Sequence, residues 1–137
     1  MAILIDSSIF IAIERQGLPP DETVKTVLAE DAAMASITAS ELLAGVYRAD
    51  TAERRLRRET FVEAILGIMT VIPFDLLAAR THARIWSHLA ATGQLIGAHD
   101  LLIAATALAY GYAVLTHNLR DFERVPGLVV KRPNWKV

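Results

Sequence analysis

The chain has 137 residues, 53% apolar and 21% charged, enough for one self-supporting core and no more than one domain, taken here as 1–137. Fourteen basic against fifteen acidic residues give a net charge of -1, which excludes a global basic field as the means of holding a polyanion. The absence of cysteine excludes disulfides, thiolate metal sites and cysteine nucleophiles together.

The first element is a strand over 2–5, an apolar run that meets Asp6 and two serines before a helix from Ser8 to Arg15. GLPP (17–20) breaks that helix, and Asp21 caps a second one to Glu30. AMASI (33–37) reads as a strand, followed by a helix over 38–49 and a longer amphipathic helix over 51–67 with Phe61, Ile65 and Ile68 on one face. MTVI (69–72) is a third strand, stopped by Pro73. In the helix over 75–92, Leu76, Ala79, Ala83, Trp86 and Ala90 fall at helical spacing and make the expected core stripe. A loop over 93–97, an apolar helix from Asp100 to Ala109, a strand YAVLT (112–116) and a short strand LVVK (128–131) complete the chain. No apolar run nears the roughly 20 residues of a membrane span, and Asp6 interrupts the only apolar stretch at the N-terminus, so a soluble, cytoplasmic protein is expected.

Strands alternating with helices, the strands reading as near-continuous apolar runs, indicate a three-layer α/β/α sandwich around a mainly parallel sheet of four or five strands. Such sheets bind ligands beyond the carboxyl ends of their strands, near the switch in strand order. Asp6 falls at such an end, and so do Glu41 after AMASI and Asn118 and Asp121 after YAVLT. Each has a plain structural alternative. Asp6 can cap the helix after it, Asp100 can cap LLIAATALA, and Asp121 can be a solvated turn residue. Thr38-Ala39-Ser40-Glu41 matches a capping box, in which Glu41 would reach back to a backbone N–H.

Taken together, the acidic residues converge on one sheet edge, and carboxylates brought close need a compensating cation. Oxygen ligands without histidine or cysteine at ligand spacing favour Mg²⁺, with Mn²⁺ as the alternative, over zinc. His82 and His88 read as ordinary surface histidines, whereas His99 and His117 lie beside the acidic cluster, where substrate would pass.

Four segments carry a resemblance: LIDSSIFIA (4–12), SITASELLAGV (36–46), GAHDLLIAATALAYG (97–111) and VLTHNLRDFERVPGL (114–128). In order and spacing the chain resembles the PIN-domain family, and within it the VapC-type toxins of bacterial toxin–antitoxin pairs. The resemblance implies a Mg²⁺-dependent endoribonuclease, with Asp6, Glu41 and Asp100 as catalytic metal-binding residues and a water as the nucleophile. A fourth acidic group is common in the family after the fourth strand; this chain offers Asn118 there and Asp121 three residues on. Ser7, Ser8 and Thr116 would hydrogen-bond around the ligands. Arg120, Arg124 and Lys131 are candidate phosphate contacts, while Arg54, Arg55, Arg57 and Arg58 read first as a solvated helix face. The resemblance further implies a homodimer and a small VapB-like antitoxin as partner, in keeping with more apolar helix surface than one sheet can cover. Two alternatives stand beside it: a receiver-like Mg²⁺-binding module, and a catalytically inactive PIN-type domain that only binds protein.

Overall fold

The computed structural model describes residues 2–19 and 31–134; the helix read over 21–30 lies outside them. Five strands, β1 (Ile3–Ile5), β2 (Ala32–Ala35), β3 (Thr70–Ile72), β4 (Ala113–Leu115) and β5 (Val130–Lys131), form one sheet in the order β3-β2-β1-β4-β5. Every pairing is parallel, in registers such as Ile3 with Ala32 and Ile5 with Leu115. Counting outward from β1, the chain lays β2 and β3 on one side and then crosses to lay β4 and β5 on the other. The switch point therefore lies between the carboxyl ends of β1 and β4.

Six helices cover the sheet among the described residues: α1 (Ser7–Arg15), α2 (Ser36–Tyr47), α3 (Ala52–Ile68), α4 (Leu76–Ala91), α5 (Ala98–Tyr110) and the short α6 (Leu119–Phe122). Alternation along the strands divides the core into two layers. Ile3, Ile5 and Met34 face Ile9, Phe10, Leu42, Val62 and Ile65, which come from α1, α2 and α3. Leu4, Ala33, Ala35 and Val114 face Ile85, Leu89, Ile103, Ala104 and Phe122, from α4, α5 and α6. The expected three-layer α/β/α sandwich with a parallel five-stranded sheet is the fold found.

Four readings of the sequence are corrected. α2 begins at Ser36, two residues before the expected Thr38, because the Ser36 hydroxyl donates to the Ile72 carbonyl at 2.9 Å and ties the helix to β3. Thr38 is then a fully buried residue of the first turn, and Glu41 lies in the second turn, so no capping box forms. Asp100 likewise lies inside α5, whose N-cap is Gly97. The stripe of α4 is also turned: Ala78, Thr81, Ile85 and Leu89 are buried, while Leu76 is 66% and Trp86 54% exposed. Alanines, neutral between core and solvent, let two stripes compete in the sequence, and the larger buried residues, Ile85 and Leu89, decide. In α3, similarly, Val62 rather than Ile68 joins Phe61 and Ile65 in the core. Leu89→Ala should therefore cost about 2–5 kcal/mol. Leu76→Ala should cost less than about 0.5 kcal/mol. Paired urea unfolding curves check the contrast, and equal costs would return the stripe to Leu76.

The arginine run divides as well. Arg54 pairs with Asp50 at 2.8 Å in solvent, where such a pair contributes little. Arg58 is half-buried: it donates to the Gly45 carbonyl at 2.8 Å and meets Glu14 at 3.3 Å, stapling α1, α2 and α3. The solvated reading holds for Arg54 and Arg57 and fails for Arg58.

Candidate metal centre at the carboxyl edge

Asp6 leaves the carboxyl end of β1 at the switch point, only 4% exposed. Its Oδ1 accepts from the Ser7 backbone N–H at 2.9 Å, so it does cap α1. Its Oδ2 accepts from the Ser8 and Thr116 hydroxyls, each at 2.8 Å. Thr116, fully buried just past β4, accepts in turn from the Asn118 backbone N–H at 2.8 Å. The switch point thus fixes the Asp6 carboxylate with two hydroxyls from two elements, and capping accounts for only one of its oxygens.

Asp100 enters from the first turn of α5 and Asn118 from the loop after β4. The Asn118 amide nitrogen donates to Asp100 Oδ2 at 2.9 Å and to Asp121 Oδ2 at 3.3 Å, bridging two carboxylates as a neutral substitute for a cation. Burial, then the charges of Asp6 and Asp121, push the Asp100 carboxyl up to about 6 against the opposing Asn118 hydrogen bond. Burial and the charge of Asp6 also raise Glu41, while His99 and the Ser7 side chain favour its ionised form. His99 Nδ1 stands 3.5 Å from Glu41 Oε2. The other oxygen, Glu41 Oε1, is buried and receives no hydrogen bond.

The three predicted acidic residues and both fourth candidates are therefore brought to one edge, each acting electrostatically on its neighbours. Among the described residues, no three acidic or histidine side chains are drawn close enough to enclose an ion as they stand. The donor set still fits a hard dication. Mg²⁺ keeps several waters and takes only one or two carboxylates directly. An unserved buried carboxylate oxygen on Glu41, beside a carboxylate raised by its neighbours, is what such an ion would satisfy.

Of the basic candidates, Arg124 donates to the Leu95 carbonyl at 3.1 Å and so anchors the loop before α5. Arg120 is exposed on α6, and Lys131 is half-buried in β5. Two features escaped the sequence. His99 as the partner of Glu41 had only its adjacency to Asp100 as a signal. Arg132 reaches the same edge because β5 pairs with β4, a register that local pattern does not encode.

An all-parallel α/β/α sandwich with carboxylates gathered at its switch point is the class of protein defined here. The profile of the PIN domain family matches residues 3–128. Over 130 residues, 95% of either chain, the sequence is 38% identical to ribonuclease VapC1 of Rickettsia felis and to ribonuclease VapC of Rickettsia bellii. The crystal structure of the VapBC-5 toxin–antitoxin system of Mycobacterium tuberculosis superposes with a TM-score of 0.74 at 32% identity, covering 96% of each chain. The chain belongs to the PIN domain family and, within it, to the VapC nucleases.

Proposed function

We propose that the protein is the toxin of a toxin–antitoxin pair, a Mg²⁺-dependent endoribonuclease whose metal is held by Asp6, Asp100 and Glu41. The observation that carries this reading is the buried Oε1 of Glu41, which accepts no hydrogen bond, next to the charge of Asp6. Asp6, held by Ser8 and Thr116, is the fixed ligand. Asn118 orients Asp100, and either Asn118 or Asp121 completes the set. Bound there, Mg²⁺ supplies a Lewis acid for the phosphodiester oxygens and acidifies the attacking water. Glu41 is placed to orient that water and take its proton, its own affinity for a proton being raised by burial. The receiver-like alternative lacks support among the described residues, because the two strands flanking β1 lead into Ser36 and Thr116 and not into a lysine.

Purified protein should cleave single-stranded RNA with Mg²⁺, lose the activity in EDTA and regain it on adding Mg²⁺ or Mn²⁺. Asp100 must shed its proton for the ion, so apparent Mg²⁺ affinity should fall as pH drops through about 6. With one linked proton the loss approaches about tenfold per pH unit, readable by calorimetry. Cleavage indifferent to EDTA would overturn the proposal.

A VapB-like antitoxin is one proposed partner, supported by relatives solved as VapBC complexes, and a second copy of the chain is the other, proposed from an exposed apolar surface. On α4, Trp86 is exposed, and the His82 ring lies between it and the exposed Phe74, at 5.6 Å from each. Light scattering should give twice the chain mass, and Trp86→Glu should return the monomer. A wild-type monomer at tens of micromolar, roughly where a weak standard interface still forms, would remove the dimer.

A further inference from the structure

A polar cavity of about 320 Å³ opens beside the acidic edge, walled by Thr116, His117, Leu119, Arg132 and Pro133. It adjoins the metal centre through Thr116, whose hydroxyl is 2.8 Å from Asp6 Oδ2 and whose backbone N–H donates to the Lys131 carbonyl at 3.1 Å. That second bond sets Arg132 directly next to Thr116, at the carboxyl end of β5. The sheet therefore delivers one guanidinium to an edge otherwise dominated by carboxylates. Arg132 makes no ion pair or hydrogen bond with any other described residue, and the His117 ring has none either. Elsewhere near the edge, Arg124 is committed to a carbonyl.

An RNA strand whose scissile phosphate lies at Asp6 and Asp100 must carry its next phosphates past the same acidic edge, where each would be repelled. We propose that this cavity is a phosphate subsite: Arg132, with the His117 ring as a second donor, grips the RNA phosphate adjacent to the scissile one. The guanidinium offers a planar fork of donors suited to two phosphate oxygens. Leu119 and Pro133 supply an apolar wall for the ribose. The assignment rests on the ribonuclease reading above and extends it to the neighbouring nucleotide. It makes Arg132 a substrate-positioning residue in an otherwise anionic groove.

The test compares wild type, Arg132→Gln, Arg132→Lys and, as a control on the exposed face of α4, Arg84→Gln on a short RNA oligonucleotide. Arg132→Gln should raise KM about tenfold, as expected for one lost charge-assisted contact, with kcat changed far less. The slope of log affinity against log salt should shrink by about 0.7, the loss of one phosphate contact on a single strand. Arg132→Lys should restore the slope but only part of KM, and Arg84→Gln should match wild type. An uncharged methylphosphonate next to the scissile position should weaken wild type and leave Arg132→Gln unaffected. Active wild type with unchanged KM and slope in Arg132→Gln would overturn the subsite and leave the ribonuclease reading standing. A wild type that neither binds nor cleaves RNA would overturn the ribonuclease reading, and the subsite with it.

Discussion

Asp100→Asn should reduce RNA cleavage at saturating Mg²⁺ by on the order of 10³-fold, about 4 kcal/mol of barrier, while the chain stays folded. The substitution keeps the shape of the side chain, and its carbonyl can still accept from the Asn118 amide at the 2.9 Å contact now made by Oδ2. Its new NH₂ group then points toward carboxylates instead of repelling them. The sign of the stability change follows from the raised carboxyl of Asp100. A raised acid contributes stability that is complete below the ordinary carboxylate range and is lost as pH rises through about 6. Metal-free wild type at pH 7 therefore carries a penalty that asparagine lacks, and the variant should melt at the same temperature or slightly higher. The difference should shrink as pH falls through about 6 and vanish only below the ordinary carboxylate range, where the carboxyl is protonated in the unfolded chain as well. Adding Mg²⁺ at pH 7 should reverse the order, raising the melting temperature of wild type more than that of the variant. Asp6→Asn should be equally inactive but less stable. Asn can cap α1 through its carbonyl, yet its amide would face two hydroxyls that now donate to Asp6 Oδ2. Asp100→Asn cutting RNA at the wild-type rate, or melting lower at pH 7 without metal, would remove Asp100 from the metal set.

Much of the fold is legible in the chain because parallel strands buried on both faces announce themselves as apolar runs. Leu4 and Ile5, Met34, and Val114 and Leu115 all lie where those runs end in polar residues, and those ends carry the acidic group. The strand order is less accessible. That β4 returns to the side of β1, setting Thr116 on Asp6, is a long-range pairing with no local trace. Helix starts go astray where a hydroxyl has a tertiary use: Ser36 bonds across to Ile72, so the better-looking cap at Thr38 is passed over. Helix faces go astray where alanine fills the pattern, as in α4. α6 is four residues long, too short for any period, so its sequence reads as a turn around Asp121. Residue types at the site could thus be named from sequence, whereas their partners, His99 on Glu41 and Asn118 between Asp100 and Asp121, required the fold.

Glu41→Gln should lower cleavage by at least about a hundredfold, the scale on which a positioned acid–base group acts. Its effect on stability should be neutral or favourable. Had the helix begun at Thr38, Glu41 would have served as a cap and glutamine would have replaced it with little consequence for activity. With the start at Ser36, no backbone N–H is left for it to reach, and burial has a different meaning. A carboxylate oxygen shielded from water without a donor is held at a cost. Glutamine removes the charge and keeps the length of the side chain. Its NH₂ can turn toward Asp6, whose charge acts on this position, or toward His99 Nδ1, now 3.5 Å from Oε2. Either arrangement relieves the metal-free protein, so melting at pH 7 without Mg²⁺ should be unchanged or higher. The charge is also what a dication and a proton acceptor both need, and glutamine supplies neither. Rate and melting temperature should therefore move in opposite directions in one variant, a separation that a structural role for Glu41 would not produce. A stable Glu41→Gln protein with full activity would place the water's proton elsewhere and reduce the metal ligands to Asp6, Asp100 and the Asn118–Asp121 pair.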